Sequence, residues 1–153
     1  MANLLLGAGH VNPVKAIDPG LVYEACKDDY MKMLYPKEIN DSPKDLNYPS
    51  MQALVKTGKP FTVEFTRTVT NVGLANSTYW SKVITNSQIN VSVKPRSLSF
   101  KSSSEMQSFV VKVSGEALTA KTRLSVSLIW SDGTHNVRSP IVLYTKGIQK
   151  NKG

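Results

Sequence analysis

Phe61-Thr62-Val63-Glu64-Phe65-Thr66-Arg67-Thr68-Val69-Thr70-Asn71-Val72-Gly73 is the stretch that decides the fold. Phe61, Val63, Phe65 and Val69 recur at every second position, with Thr62, Glu64, Thr66, Thr68 and Thr70 between them. A period of two sends one set to each face of a pleated strand, so one face is apolar and the other is hydroxyl-rich. Arg67 takes one inward place, which predicts that this end of the strand lies at a sheet edge. Asn71-Val72-Gly73 supplies the chemistry of a turn.

The same period continues downstream. Tyr79, Ser81 and Val83 alternate with Trp80, Lys82 and Ile84. Ile89, Val91 and Val93 run up to Pro95, and Leu98 and Phe100 follow. Phe109, Val111 and Val113 close at Gly115, and Leu124, Val126, Leu128 and Trp130 alternate with serines. Asp132-Gly133 offers a positive φ at a tight hairpin, and the chain returns through Val137, Ile141 and Leu143. About seven short strands are expected, with turn signals every 8 to 15 residues or so. A mainly β, seven-stranded antiparallel sandwich resembling a fibronectin type III domain accommodates them.

Upstream the pattern changes. The division falls near Asp41-Ser42-Pro43-Lys44, giving an N-terminal segment 1–40, a sandwich 41–147 and a flexible tail 148–153. Within 1–40, Val14 to Ile17 reads as one helical turn, broken by Asp18-Pro19-Gly20. Leu21-Val22-Tyr23 is a short extended run. Tyr30, Met31, Leu34 and Tyr35 fit one face of a short helix stopped by Pro36. Leu4 to Leu6, Leu21 to Tyr23 and the Tyr30/Leu34 face have no evident partner in a self-contained sandwich. They are expected to belong to something larger.

Composition narrows the function classes. The net charge is +8, but the basic residues are spread from Lys15 to Lys152 without an arginine-rich block, which argues against nucleic acid. A solvated basic surface, or one suited to acidic polysaccharide, is expected instead. No run approaches the roughly 18 apolar residues of a membrane span. Met1 to Leu6 lacks the basic and long apolar regions of a secretory signal. The single cysteine, Cys26, excludes an internal disulfide and any multi-thiolate metal site.

Catalysis finds no footing. His10 and His135 are the two histidines; His10 sits in a turn, where a capping hydrogen bond is expected, and His135 just past a hairpin, where a solvated or edge-strand side chain is expected. No Gly-x-Ser-x-Gly elbow, dinucleotide fingerprint or metal-ligand spacing occurs, so neither catalytic residues, cofactor nor metal is expected. Asn76-Ser77-Thr78 and Asn90-Val91-Ser92 are N-glycosylation sequons, with Asn76 the better placed in a loop. Asn40-Asp41-Ser42 is spoiled by Pro43.

Several motifs in order carry a family resemblance. They are Gly7-Ala8-Gly9-His10-Val11-Asn12-Pro13 with Asp18-Pro19-Gly20-Leu21-Val22-Tyr23, and Asp45-Leu46-Asn47-Tyr48-Pro49-Ser50. Arg67-Thr68-Val69-Thr70-Asn71-Val72-Gly73 with Tyr79, and Val93-Lys94-Pro95 before Leu98-Ser99-Phe100, come next. The last is Trp130-Ser131-Asp132-Gly133 with His135, Val137, Arg138, Ser139 and Pro140. Together they resemble the end of the catalytic domain and the C-terminal fibronectin III-like domain of plant subtilisin-like serine proteases of the cucumisin type. The resemblance implies a secreted, apoplastic endopeptidase whose accessory domain packs on the catalytic domain and supports its stability or a homodimer contact. It implies that His10 and His135 occupy structural positions and that the triad and oxyanion residues would precede Met1. Two departures stand out. The family's cysteine pair is missing between Tyr35 and Asp45, and Met1 to Leu6 replaces the usual lead-in, as a truncated product or alternative start would. The other reading is a stand-alone interaction module for a protein or an acidic polysaccharide.

Overall fold

The computed structural model describes residues 10, 12–25, 31, 43–85 and 88–147. Gly7, Gly9, Cys26, Asn40, the expected helix ending at Tyr35 apart from Met31, and the tail 148–153 lie outside the described residues.

The chain order is α1 (Pro13–Ile17), β1 (Leu21–Val22), a 3₁₀ turn (Pro43–Asp45), β2 (Met51–Leu54), β3 (Phe61–Asn71) and β4 (Ser77–Ile84). It continues with β5 (Ile89–Lys94), β6 (Ser97–Phe100), β7 (Met106–Gly115), β8 (Arg123–Ser131) and β9 (Asn136–Tyr144). Two sheets stack face to face, ordered β1-β3-β7-β5 and β2-β9-β8-β4-β6. The fold is the expected mainly β sandwich. The seven expected strands are β3 to β9.

Two corrections follow from the topology. Among the described residues there are nine strands rather than seven, and the sandwich is not wholly antiparallel, because β2 runs parallel to β9 from Met51 opposite Ile141. Met51 and Ala53 are buried while Gln52 and Leu54 face out, a period too short to stand out in the sequence. The second correction concerns Leu21-Val22-Tyr23. These residues do have a partner in the sandwich: β1 pairs with the end of β3, Leu21 opposite Asn71, and Leu21 is buried.

The core forms where the inward sets meet. Phe65, Val69, Tyr79, Leu98, Phe109, Leu128, Trp130 and Ile141 are almost fully removed from water. Side chains of this size contribute about 1.5–3 kcal/mol each on burial, so the alternation alone is a strong drive for this register. Phe109 sits edge-on to both Trp130 (centroids 5.1 Å) and Tyr23 (6.5 Å), which places an N-terminal aromatic within the core packing.

Candidate functional site

The chemistry-bearing residues gather where the N-terminal limb, residues 18–24, crosses the sandwich. Gly20 makes the crossing close. Its φ is +78°, and a Cβ there would lie 2.7 Å from the Tyr79 hydroxyl and 2.8 Å from the His135 ring. Only glycine tolerates both the left-handed backbone and the approach. The Gly20 carbonyl then accepts hydrogen bonds from the Val72 and Gly73 N–H groups at 2.9 and 3.2 Å.

Beside this crossing the β8–β9 hairpin is organised by Asp132. Its Oδ1 accepts from the N–H groups of Thr134 (2.9 Å) and His135 (2.6 Å), and Gly133 supplies the positive φ of 95° expected of it. The turn thereby aims the His135 ring at the limb. Nδ1 lies 2.8 Å from Asp132 Oδ2, and Nε2 lies 3.1 Å from Asp18 Oδ2. His135 is therefore not the solvated side chain expected past a hairpin; it is bracketed by two carboxylates, and its side chain is 14% exposed. Burial opposes ionisation of Asp132, yet hydrogen bonds from the His135 ring and from two backbone N–H groups hold it at about 2. Hydrogen bonds to Asp132 and then to Asp18 raise the His135 pKa. Burial first, and the charges of Asp132 and Asp18 after it, push the Tyr79 phenol up to about 12.

Two further fastenings hold the limb. The Tyr23 hydroxyl lies 2.7 Å from Ser139 Oγ, which accounts for a serine at a fully buried place of β9. Burial raises the Tyr23 pKa, so it stays a neutral phenol. The Asn47 side-chain amide donates to the carbonyls of Glu24 and Thr68, both at 2.9 Å, and its oxygen accepts from the Thr68 N–H at 2.9 Å. One amide thus ties the limb to β3 and also acts as a one-residue strand along it. Arg67, buried although charged, donates from Nε to the Tyr48 carbonyl (2.9 Å) and from a terminal nitrogen to the Thr66 carbonyl (2.8 Å). Its guanidinium also lies 5.7 Å from the Phe65 ring centroid.

The remaining sequence-singled residues fall elsewhere. Asn71 is buried, donates to the Leu74 and Ser102 carbonyls and accepts from the Gly73 N–H. Trp130 is core. Asn12 caps α1 by accepting from the Lys15 N–H, with Pro13 the first helical residue and His10 exposed. Pro49 is exposed beside Tyr48. Arg138 and Pro140 lie on the outer face of the five-stranded sheet. Asn76 is exposed in the β3–β4 turn with a φ of 55°, and Asn90 is exposed on β5. Sequence reasoning passed over Asp18, Tyr79 and the Tyr23–Ser139 pair as members of a cluster. The glycine of Asp18-Pro19-Gly20 was the one signal pointing to a close crossing.

A cleft of about 440 Å³ opens beside His135, lined among others by Lys15, Asp18, Leu21 and Arg138. Both ring nitrogens of His135 already face carboxylates, so the arrangement suits a charge clamp rather than activation of a hydroxyl nucleophile. Among the described residues no group of three or more His, Cys, Asp or Glu could hold a metal.

The fibronectin type-III domain model matches residues 45–143. The chain is similar to three subtilisin-like proteases of Arabidopsis thaliana. It is 51% identical to SBT4.10 over 159 residues, covering 91% of this chain and 23% of that protein. It is 47% identical to SBT4.4, covering 90% and 22%, and 49% identical to SBT4.9, covering 93% and 23%. The chain therefore spans less than a quarter of the length of these relatives. It aligns with their fibronectin III-like region rather than with their catalytic region. Among solved structures the likeness is distant; the Vibrio cholerae VesB protease matches 62% of this chain and 30% of its own at 18% identity, with a TM-score of 0.41.

Proposed function

The chain belongs to the fibronectin type-III domain family, and from that premise we propose that it is the non-catalytic accessory domain of a subtilisin-like serine endopeptidase. Its work is mechanical: it holds a catalytic domain in a fixed attitude and stabilises it. The observation that carries this reading is the fastening of residues 18–24. A strand pair, a carboxylate–imidazole–carboxylate clamp, a buried phenol and an asparagine bridge join a limb upstream of the family domain to the sandwich itself. A limb held at four places transmits orientation, where a plain linker would not. In this reading the limb continues from a catalytic domain, residues 41–147 are the accessory unit, the protein works outside the cell, and Asn76 carries a glycan.

The test adds this chain in trans to Arabidopsis SBT4.10 cut back to exclude the matched region. Association on a sizing column and a longer half-life of peptidase activity at elevated temperature are the expected results. No association and an unchanged half-life would remove the reading. So would cleavage of an unfolded protein by this chain alone, blocked by a serine-directed inhibitor.

A further inference from the structure

The two outer faces of the sandwich differ in charge. On the four-stranded sheet, Glu64 of β3 pairs with Lys112 of β7 at 3.4 Å, which leaves Lys94 of β5 as the one outward strand cation there without an ion pair among the described residues. On the five-stranded sheet the outward positions carry Lys82 of β4, Arg123 of β8 and Arg138 of β9, and no carboxylate among the described residues. None of these three cations forms an ion pair among the described residues. Lys82, Ile129 and Arg138 stand in one cross-strand row, which sets the backbones of the two basic residues about 10 Å apart across two strand spacings. Arg138 lies flat, donating from Nε to Ser127 Oγ at 3.1 Å and covering that serine.

Trp80 stands next to this row, and its side chain is 63% exposed. Its cross-strand neighbours are Ser131 on one side and Ser97 on the other. An indole left in water costs hydration free energy, and nothing in the sandwich covers it.

We propose that this face binds an anionic polysaccharide built of uronic acid units. The positively polarised C–H face of a pyranose stacks on the electron-rich indole of Trp80. The serines beside it exchange hydrogen bonds with ring hydroxyls, and Lys82, Arg138 and Arg123 meet the carboxylates. A hydroxyl-bearing strand surface around one exposed aromatic platform fits a sugar chain better than an acidic peptide, whose apolar side chains would need pockets. The excess of cations over carboxylates at the outward strand positions supplies the complementarity.

The test measures retention of the full chain on immobilised polygalacturonic acid, its methyl-esterified neutral form and polyglutamate. Each variant is first shown to be folded by thermal unfolding. Retention on polygalacturonic acid that weakens with salt is expected, with little on the neutral polymer. Trp80→Ala and Lys82→Glu should each weaken it about tenfold or more, while Lys94→Glu on the other sheet leaves it unchanged. Equal retention on polyglutamate would assign the face to acidic polypeptides and overturn the proposal. Absence of retention would overturn it too, as would loss in Lys94→Glu with none in Trp80→Ala.

Discussion

Gly20→Ala tests whether the limb is part of the folded unit. Two terms add. Holding alanine at a φ of +78° costs about 1–2 kcal/mol. Forcing a methyl to within 2.7 Å of the Tyr79 hydroxyl and 2.8 Å of the His135 ring costs about 1–3 kcal/mol more, because both neighbours are themselves packed. The expected loss is about 2–5 kcal/mol in urea-induced unfolding. Gly58→Ala separates the terms, since Gly58 has a φ of +74° and nothing within 4 Å of its added Cβ. It should lose the first term alone, about 1–2 kcal/mol. Hydrogen exchange locates the damage. The Val72 and Gly73 amides bond to the Gly20 carbonyl and should lose protection in Gly20→Ala but not in Gly58→Ala. Equal losses in both variants, with Val72 and Gly73 still protected, would refute the idea that the limb is fastened at Gly20.

The clamp sets a pH window for stability. The raised His135 pKa contributes fully below its ordinary 6.5 and is lost as pH rises through the folded value; a His135→Gln variant should lack that alkaline decline. Asp132, held at about 2 against an ordinary 3.8, contributes stability that is present above pH 3.8 and lost as pH falls through about 2; Asp132→Asn should flatten this acid limb of the denaturation curve. The two shifts share one hydrogen bond and should not add in the double variant. Asn47→Ala removes three hydrogen bonds and should cost about 2–4 kcal/mol, with early exchange of the Thr68 amide. Tyr79→Phe should be neutral or slightly stabilising in the same unfolding assay, because the buried hydroxyl has no hydrogen-bond partner among the described residues.

The legible part of the fold is the part written with a local period. Phe61, Val63, Phe65 and Val69 alternate over a single strand, and each later strand repeats the signal, so the sandwich could be read strand by strand. Arg67 was legible only halfway. Its inward place pointed to an edge, and β1 does reach no further along β3 than Thr70 and Asn71; its burial over two carbonyls depends on Tyr48, which no periodicity reveals. The clamp was illegible for the same reason. Asp18 meets His135, and Tyr23 meets Ser139, a separation of 116 residues in the second case, so only the closed sandwich brings them together. β2 hid because four residues with only two inward places, Met51 and Ala53, paired parallel to the last strand, resemble a linker.

The Asn47 bridge bears on how copies of this protein behave in a crowded solution. Over most of its length β3 has a strand partner on one side only, and an open strand invites addition of another chain. By occupying both backbone groups of Thr68, the Asn47 amide removes the docking points at which an incoming strand would set its register. Farther along the strand, the exposed Glu64 sets a charged side chain at what remains of the edge. Substituting Asn47 would then leave more than a weakened fold: it would expose a template for fibre growth.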